Sequence, residues 1–350
     1  MTEVWQNQIR RALLALAPIA LALGFTGGIL VLAGAPPLLT YEKLIMGSLG
    51  TAVKRADVLV IWVSLATCAA GLLVTFTAGQ WNIGVEGQIV LGAIFATWAG
   101  RVLLEQPGAV AIPAMVGWGL VGGAFWGLLV GLLKIYGRVH EIFGGLGLNF
   151  VATALNIYLI FGPWKQRTGG TLSGTTIFPE SLWLPTLPGL RLSILSIVIA
   201  LVIVSAVSLS LRGTVWGLQL KAVGQNIRSA YILGLPTQRL MLSAFIVCGA
   251  CAGLVGAYLV VGVHHRLVPS ISSGYGFLSI LIVLLSGFRA LWTAPIALFF
   301  AAVNIGSTAL QLDLQLDASL GGVLQSAIVL AVVLMQGVRE RYLDARARPS

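Results

Sequence analysis

Polar side chains are scarce in the apolar parts of this sequence, yet four of them fall within one short stretch. TAGQWNIGVEGQ, residues 77–88, carries Gln80, Asn82, Glu86 and Gln88 between two strongly apolar runs. Amide and carboxylate groups are costly in apolar surroundings unless water, backbone or other protein groups meet them. Gly79, Gly84 and Gly87 in the same stretch permit tight or irregular backbone. Two readings fit: a broken helix lining a solute path, or an ordinary turn between two spans. Asn149 and Asn156 stand two helical turns apart on one face of a later apolar run, and Asn304, with Ser307 and Thr308, repeats the pattern further on. Each set could line a pore or bond to a neighbouring helix.

Other reactive side chains point less clearly to chemistry. His264 and His265 adjoin Arg266, but a metal site needs more ligands, and the plain reading is a solvated loop pair. Cys248 and Cys251 form a C-x-x-C inside an apolar run, where small packing residues are expected rather than redox or metal chemistry. Asp313 and Asp317 could meet a basic partner surface or simply face water. There is no G-x-x-x-x-G-K-S/T for an ATP-binding phosphate loop, no G-x-S-x-G and no H-E-x-x-H. The sequence therefore predicts no catalytic site, no metal and no cofactor bound by this chain. Acidic residues are nearly missing from the apolar runs, which argues against a cation- or proton-coupled carrier. If transport is uphill, its energy must come from another subunit.

The elements that would position these residues are apolar and long. Of 350 residues, 58% are hydrophobic and 9% charged, where a soluble domain carries about 25% charged residues. Repeated apolar runs near 20 residues predict an all-α integral membrane protein in a lipid bilayer. We expect about ten spans, beginning near Ala12 and ending near Gly337, with both termini cytosolic. Arg10 and Arg11 precede a run too long for a cleavable signal. The net charge of +10 is read as topology rather than nucleic-acid binding. On this count 13 of the 21 Lys and Arg lie inside, the direction the positive-inside bias requires. One span carries Gly119, Gly123, Gly127 and Gly131 at i, i+4 spacing, a bare ridge against which another helix can pack closely.

The longest basic segment between two spans is Arg212–Arg239, which holds Arg212, Lys221, Arg228 and Arg239 and no acid. It is expected in the cytosol. Asn226 can cap a short helix there, and Gly234 followed by Pro236 ends it. Ile227, Ala230, Tyr231, Leu233 and Leu235 give it an apolar side, which calls for a groove in a partner. A weaker signal is internal repetition. Residues 57–163 and 240–337 each begin with a span followed by a Gly-rich polar interruption, the second being HHRLVPSISSGYGF. Their opposite directions in the ten-span count are the pattern of an inverted repeat.

FTAGQWNIGVEGQIVLGA, KIYGRVHEIFGGLGLNF, LQLKAVGQNIRSAYILGLPTQRLMLSAFIVCGACAGLVGA and GYGFLSILIVLLSGFRALWTAPIALFF resemble the permease subunits of bacterial ABC importers for simple sugars and nucleosides, with branched-chain amino acid permeases as more distant relatives. The resemblance covers roughly residues 57–337 in order. It implies a type II importer permease, a single transmembrane domain over residues 1–350, in the bacterial inner membrane. It implies a second permease subunit, identical or a sister, two ATP-hydrolysing subunits beneath and an extracytoplasmic solute-binding protein above. ATP would be hydrolysed by the partner. Ala222, Val223, Gly224, Asn226, Ala230 and Gly234 stand at positions that family usually keeps, in the loop that would couple to the ATPase, where Arg228 also lies. The NIGVEGQ wording is similar to the nucleoside-type branch. Gly144 and Gly145 depart from the polar or β-branched residues expected there. Competing readings are a branched-chain amino acid-type permease, an ATPase-independent carrier or channel, and an integral membrane enzyme. The long basic loop weighs against the carrier, and no clustered His, Asp or Arg site supports the enzyme.

Overall fold

The structure is a computed structural model that describes residues 23–32, 34–165, 174–314 and scattered positions from 322 to 334. The expected first span lies partly, and the tenth span, Asp317 and the basic tail lie largely or wholly, outside the described residues. What is described is helical. The helices are α1 (Leu23–Leu32), α2 (Pro37–Leu49), α3 (Ala52–Thr77), α4 (Val85–Val102), α5 (Gly108–Ile135), α6 (Glu141–Phe161), α7 (Ile194–Gly213), α8 (Val215–Gln225), α9 (Ile227–Ile232), α10 (Thr237–Tyr258), α11 (Tyr275–Leu285) and α12 (Ala290–Leu314). A π-helical turn, Leu259–His264, prolongs α10.

Six helices among the described residues are long and apolar enough to cross a membrane: α3, α5, α6, α7, α10 with its π turn, and the Ala290–Thr308 part of α12. The bent pair α1 and α2 would make a seventh, by length and composition. Two expected spans fall short of that test for physical reasons. The α4 helix has Glu86 in its first turn and Arg101 in its last, and α11 is only 11 residues long. The α3 helix begins at Ala52, and α12 runs on through Leu314.

The chain divides into two compact units, residues 1–58 with 299–350, and residues 59–298. In the first unit Leu30, Ala35 and Leu310 form a small core flanked by Tyr41 and Leu44, and the Tyr41 hydroxyl donates to Leu23 O at 2.8 Å.

The second unit holds the polar interruptions and is built around α10, most of whose side chains are buried. Glycine makes this possible. Gly119, Gly123 and Gly127 of α5 lie against backbone atoms of Gly253, Gly249 and Phe245 on α10, and Gly131 lies against the side chains of Leu242 and Phe245. On the same helix Gly253 also meets Gly92, and Gly256 meets Ile89 O, both on α4. Gly71 of α3 packs on Cys248 and Cys251. A β-carbon added at Gly123 would run into Gly249 O and the Gly253 backbone. Side-chain-free ridges let these helices pack backbone to backbone, which maximises dispersion contacts where lipid removes the hydrophobic driving force. In the loop between α7 and α10, helix ends are set locally. Thr214 Oγ1 accepts from Gly217 N at 3.1 Å to start α8, and Asn226 Oδ1 accepts from Ser229 N at 3.0 Å to start α9. Gly234, at φ +79°, turns the chain out of α9 into Pro236.

Gly123→Val should therefore lower the thermal unfolding midpoint of the detergent-solubilised protein by several degrees, the scale of an overpacking cost of about 1–3 kcal/mol. Gly117→Val, on the same helix but with open space around it, should leave the midpoint where it is. Equal midpoints for the two variants would mean that the α5–α10 contact is not close.

Candidate functional site

The helix α3 stops because Gln80 N and Gly79 N turn back to Thr75 O and Phe76 O, at 2.9 and 3.0 Å, and Gly79 takes φ +70°. Residues 78–84 then run without helical pairing to the start of α4. Gly79 and Trp81 face outward, but Ala78, Gln80, Asn82 and Gly84 are buried, so their polar groups must be met from within the protein. Asn82 and Gln88 meet each other. Asn82 Nδ2 donates to Gln88 Oε1 at 3.1 Å, and Gln88 Nε2 donates back to Asn82 Oδ1 at 3.2 Å. Asn82 Nδ2 also lies 3.0 Å from Cys248 Sγ on α10. Asn149 reaches in from α6, its Oδ1 accepting from Gly87 N at 2.8 Å and its Nδ2 donating to Ile83 O at 2.9 Å. Glu86 Oε1 accepts from Phe277 N, in the first turn of α11, at 3.1 Å. A carboxylate there also meets the positive end of the α11 dipole. Beside this interruption, Gln80 Oε1 and Trp126 Nε1 are without a hydrogen-bond partner among the described residues.

The second interruption, residues 265–274, follows the π turn. Its carbonyls are taken up by a segment from elsewhere in the chain. Leu184 N donates to Val261 O at 3.1 Å, Phe178 N to His265 O at 2.9 Å and Thr175 N to Leu267 O at 2.9 Å. Leu267 N returns a bond to Thr175 Oγ1 at 3.1 Å. From α6, Asn156 Nδ2 donates to Val268 O and Pro269 O, both at 3.0 Å. His265 is not the solvated loop residue expected. Its ring stacks on Trp183 at 3.9 Å between centroids, and its Nδ1 lies 3.0 Å from Val261 O. Burial pushes its imidazole below the ordinary histidine range, with Arg191 acting the same way against the Val261 carbonyl. Its surroundings therefore favour the uncharged ring in the stack on Trp183.

The basic segment 212–239 folds as α8 and α9, hinged at Asn226. Gly224 lies against Thr77 O and Gly79, a backbone-to-backbone contact at the edge of the first interruption. Val223 and Ala230 are buried, whereas Tyr231, Ile232 and Leu233 are 72%, 77% and 78% exposed. Beside them opens a cleft of about 600 Å³ bordered by Gly79, Gln80, Lys134, Glu141, Arg228 and Tyr231. Lys134, in the last turn of α5, pairs with Glu141 in the first turn of α6, so each charge sits at the helix end that favours it. Thus Gln80, Asn82, Glu86, Gln88 and Asn149 come together, and Gly224 and Arg228 border the same region. Asn304 belongs to the other compact unit, half-buried on α12. There Thr308 Oγ1 donates to Asn304 O at 3.3 Å and Ser307 Oγ to Val303 O at 2.6 Å. Sequence reasoning missed Cys248 as a partner of Asn82, and Trp183 as a partner of His265. Nothing in their local spacing marks either, because both contacts join distant parts of the chain.

Residues 55–333 match the family described as branched-chain amino acid transport system / permease component. The chain belongs to that family of permease components, and its apolar helices make it a multi-pass membrane protein. Among its relatives, it is 30% identical over 324 residues to a glucose ABC transporter permease protein of Haloferax volcanii, an alignment covering 90% of this chain and 84% of that one. It is 28% identical to a nucleoside ABC transporter permease protein of Lactococcus lactis, over 85% of this chain and 82% of that one. It is 25% identical to a guanosine ABC transporter permease protein of Bacillus subtilis, over 77% and 78%.

The reciprocal Asn82–Gln88 pair yields a sharp expectation. Asn82→Leu strands a buried amide, at a cost of about 1–3 kcal/mol, whereas replacing both partners by apolar groups can be nearly neutral. Asn82→Leu should lower the unfolding midpoint more than the double change Asn82→Leu with Gln88→Leu does. A double variant less stable than either single would show that the two amides do not depend on each other.

Proposed function

We propose that this chain is the membrane subunit of an ABC importer that carries a neutral polar solute, a nucleoside or a simple sugar. The names borne by its relatives support that solute class. The observation that carries the rest is the backbone contact between Gly224 and the Thr77–Gly79 turn. Through it the α8–α9 unit can push on the interrupted helix with no flexible side chain between them. In this reading residues 212–239 are the cytosolic coupling loop. The exposed Tyr231, Ile232 and Leu233, with Arg228, dock two ATPase subunits, which bind and hydrolyse ATP. A second permease subunit and an extracytoplasmic binding protein complete the complex.

The whole chain, 1–350, then forms one permease domain in the type II importer arrangement. It has about ten spans and cytosolic termini, in a bacterial inner membrane. Residues 57–163 and 240–337 are inverted halves. The resemblance of α3, break, α4 to α10, break, α11 supports this. Of the path candidates Gln80, Asn82, Glu86, Gln88, Asn149 and Asn304, Gln80 is best placed to meet solute. It borders the cleft, and its Oε1 is unmatched among the described residues. Asn82, Glu86, Gln88 and Asn149 spend their hydrogen bonds on shaping the break.

Two measurements test the reading. In the reconstituted complex, Gly224→Glu and Ala230→Glu should reduce uptake per ATP hydrolysed by roughly tenfold or more, within the usual range of coupling energies, while the protein still inserts. Unchanged coupling in both would refute the role of the loop. In a competition panel, nucleosides or simple sugars should displace labelled solute, and displacement by leucine or isoleucine instead would point to the amino acid branch.

A further inference from the structure

Both interruptions of the second unit are held by one helix. Asn149 and Asn156 stand two turns apart on α6, ~10 Å along its axis. Asn149 uses both ends of its amide on the first interruption, at Ile83 O and Gly87 N. Asn156 uses its Nδ2 on two successive carbonyls of the second, Val268 O and Pro269 O. Glu86, at the start of α4 behind the first interruption, accepts from Phe277 N at the start of α11 behind the second. All three side chains are buried. A circuit results: α6 to the first break, the first break through Glu86 to α11, α11 back along residues 265–274 to α6.

The rest of α6 is thinly covered. Phe143 and Phe150 are more than 70% exposed, and Tyr158 is exposed too. The asparagines therefore sit on the buried face of a helix whose other face is open. Asn149 meets Ile83 O and the first-turn N–H of Gly87, and Asn156 meets two non-helical carbonyls, in places where a missing partner would leave a polar group unpaired.

We propose that Asn149, Asn156 and Glu86 are positioning residues that clamp the two interruptions into one rigid body on α6, so that both breaks shift together during a transport cycle. The clamp goes beyond the permease reading, and its first test needs no solute. Amide hydrogen exchange is measured on the purified full chain in lipid nanodiscs. Asn156→Ala should speed exchange across residues 265–274 by about fivefold, the opening expected from one lost hydrogen bond. It should also speed exchange across residues 78–88, whose own side-chain bond goes to Asn149. A rise confined to 265–274 would overturn the clamp and leave Asn156 a local brace. Should Asn156→Ala fail to accumulate, Asn149→Ser puts the same question in reverse: faster exchange at 265–274 supports the clamp, and none overturns it.

The second test uses the complete reconstituted complex. Asn149→Ala and Asn156→Ala should each lower uptake several-fold, and the double variant should be no slower than the worse single, because breaking one circuit twice adds nothing. Losses that multiply would mean two independent contacts.

Discussion

Backbone that leaves helical geometry inside an apolar bundle has no water to turn to, and everything distinctive in this protein answers that constraint. Residues 78–84 and 265–274 expose peptide groups that a continuous helix would have paired internally. Amide side chains are suited to meet them, because one Asn or Gln offers a donor and an acceptor at once. Asn149 uses both on the first break, and Asn82 and Gln88 close on each other so that neither is left open. The second break leans more on backbone, with residues 175, 178 and 184 donating to it, and on one amide, Asn156. The π turn belongs to the same logic. Widening the helix frees carbonyls, and Val261 O is taken by Leu184 N and His265 Nδ1.

Those side chains are short, and they reach only because the helices carrying them are close. The spacing of Gly119, Gly123, Gly127 and Gly131 sets α5 against α10, and Gly92, Gly253 and Gly256 set α4 against α10. Larger residues at these positions would push α4 away from Cys248 and α5 away from α4. Gly87 shows how tightly the two demands are joined. A β-carbon there would come within 2.7 Å of Trp126 Nε1 and 3.0 Å of Asn149 Oδ1, so the residue that accepts the amide must itself be bare. Small residues here serve polar satisfaction as much as packing.

Much of this was visible in the sequence, and what was not has a common cause. Apolar runs, the glycine ridge, the Asn226 cap and both polar interruptions are local patterns, set by neighbours within a turn or two. Partners are another matter. The sequence left open whether Asn149 lines a pore or braces a neighbour, and the answer lies in Ile83 and Gly87, distant along the chain. His265 was read as solvated because its neighbours are polar, whereas its surroundings are set by Trp183, which no local spacing links to it. The helix α11 is a further case: its 11 residues are too few to cross a bilayer of ~30 Å, although the segment is apolar.

The two breaks differ most in what touches them from outside the helices. Residues 175–184 lie on the second and spread their contact over several hydrogen bonds and the Trp183–His265 stack. The α8–α9 unit meets the first through Gly224 alone among its glycines, against Thr77 O and the Gly79 backbone. These are different kinds of mechanical joint. A contact made of several weak bonds can be given up one at a time, which suits a cover that opens and closes. A contact of bare backbone on bare backbone has no rotamers to absorb motion, because packed interiors pass displacement on rather than damp it. In the coupling we propose, movement of α8 would enter at Thr77–Gly79, ahead of the Asn82–Gln88 pair, and would shift the whole turn instead of a single side chain. The bare contact at the first break is the stiffer of the two joints, and the hydrogen-bonded one at the second is the more readily released.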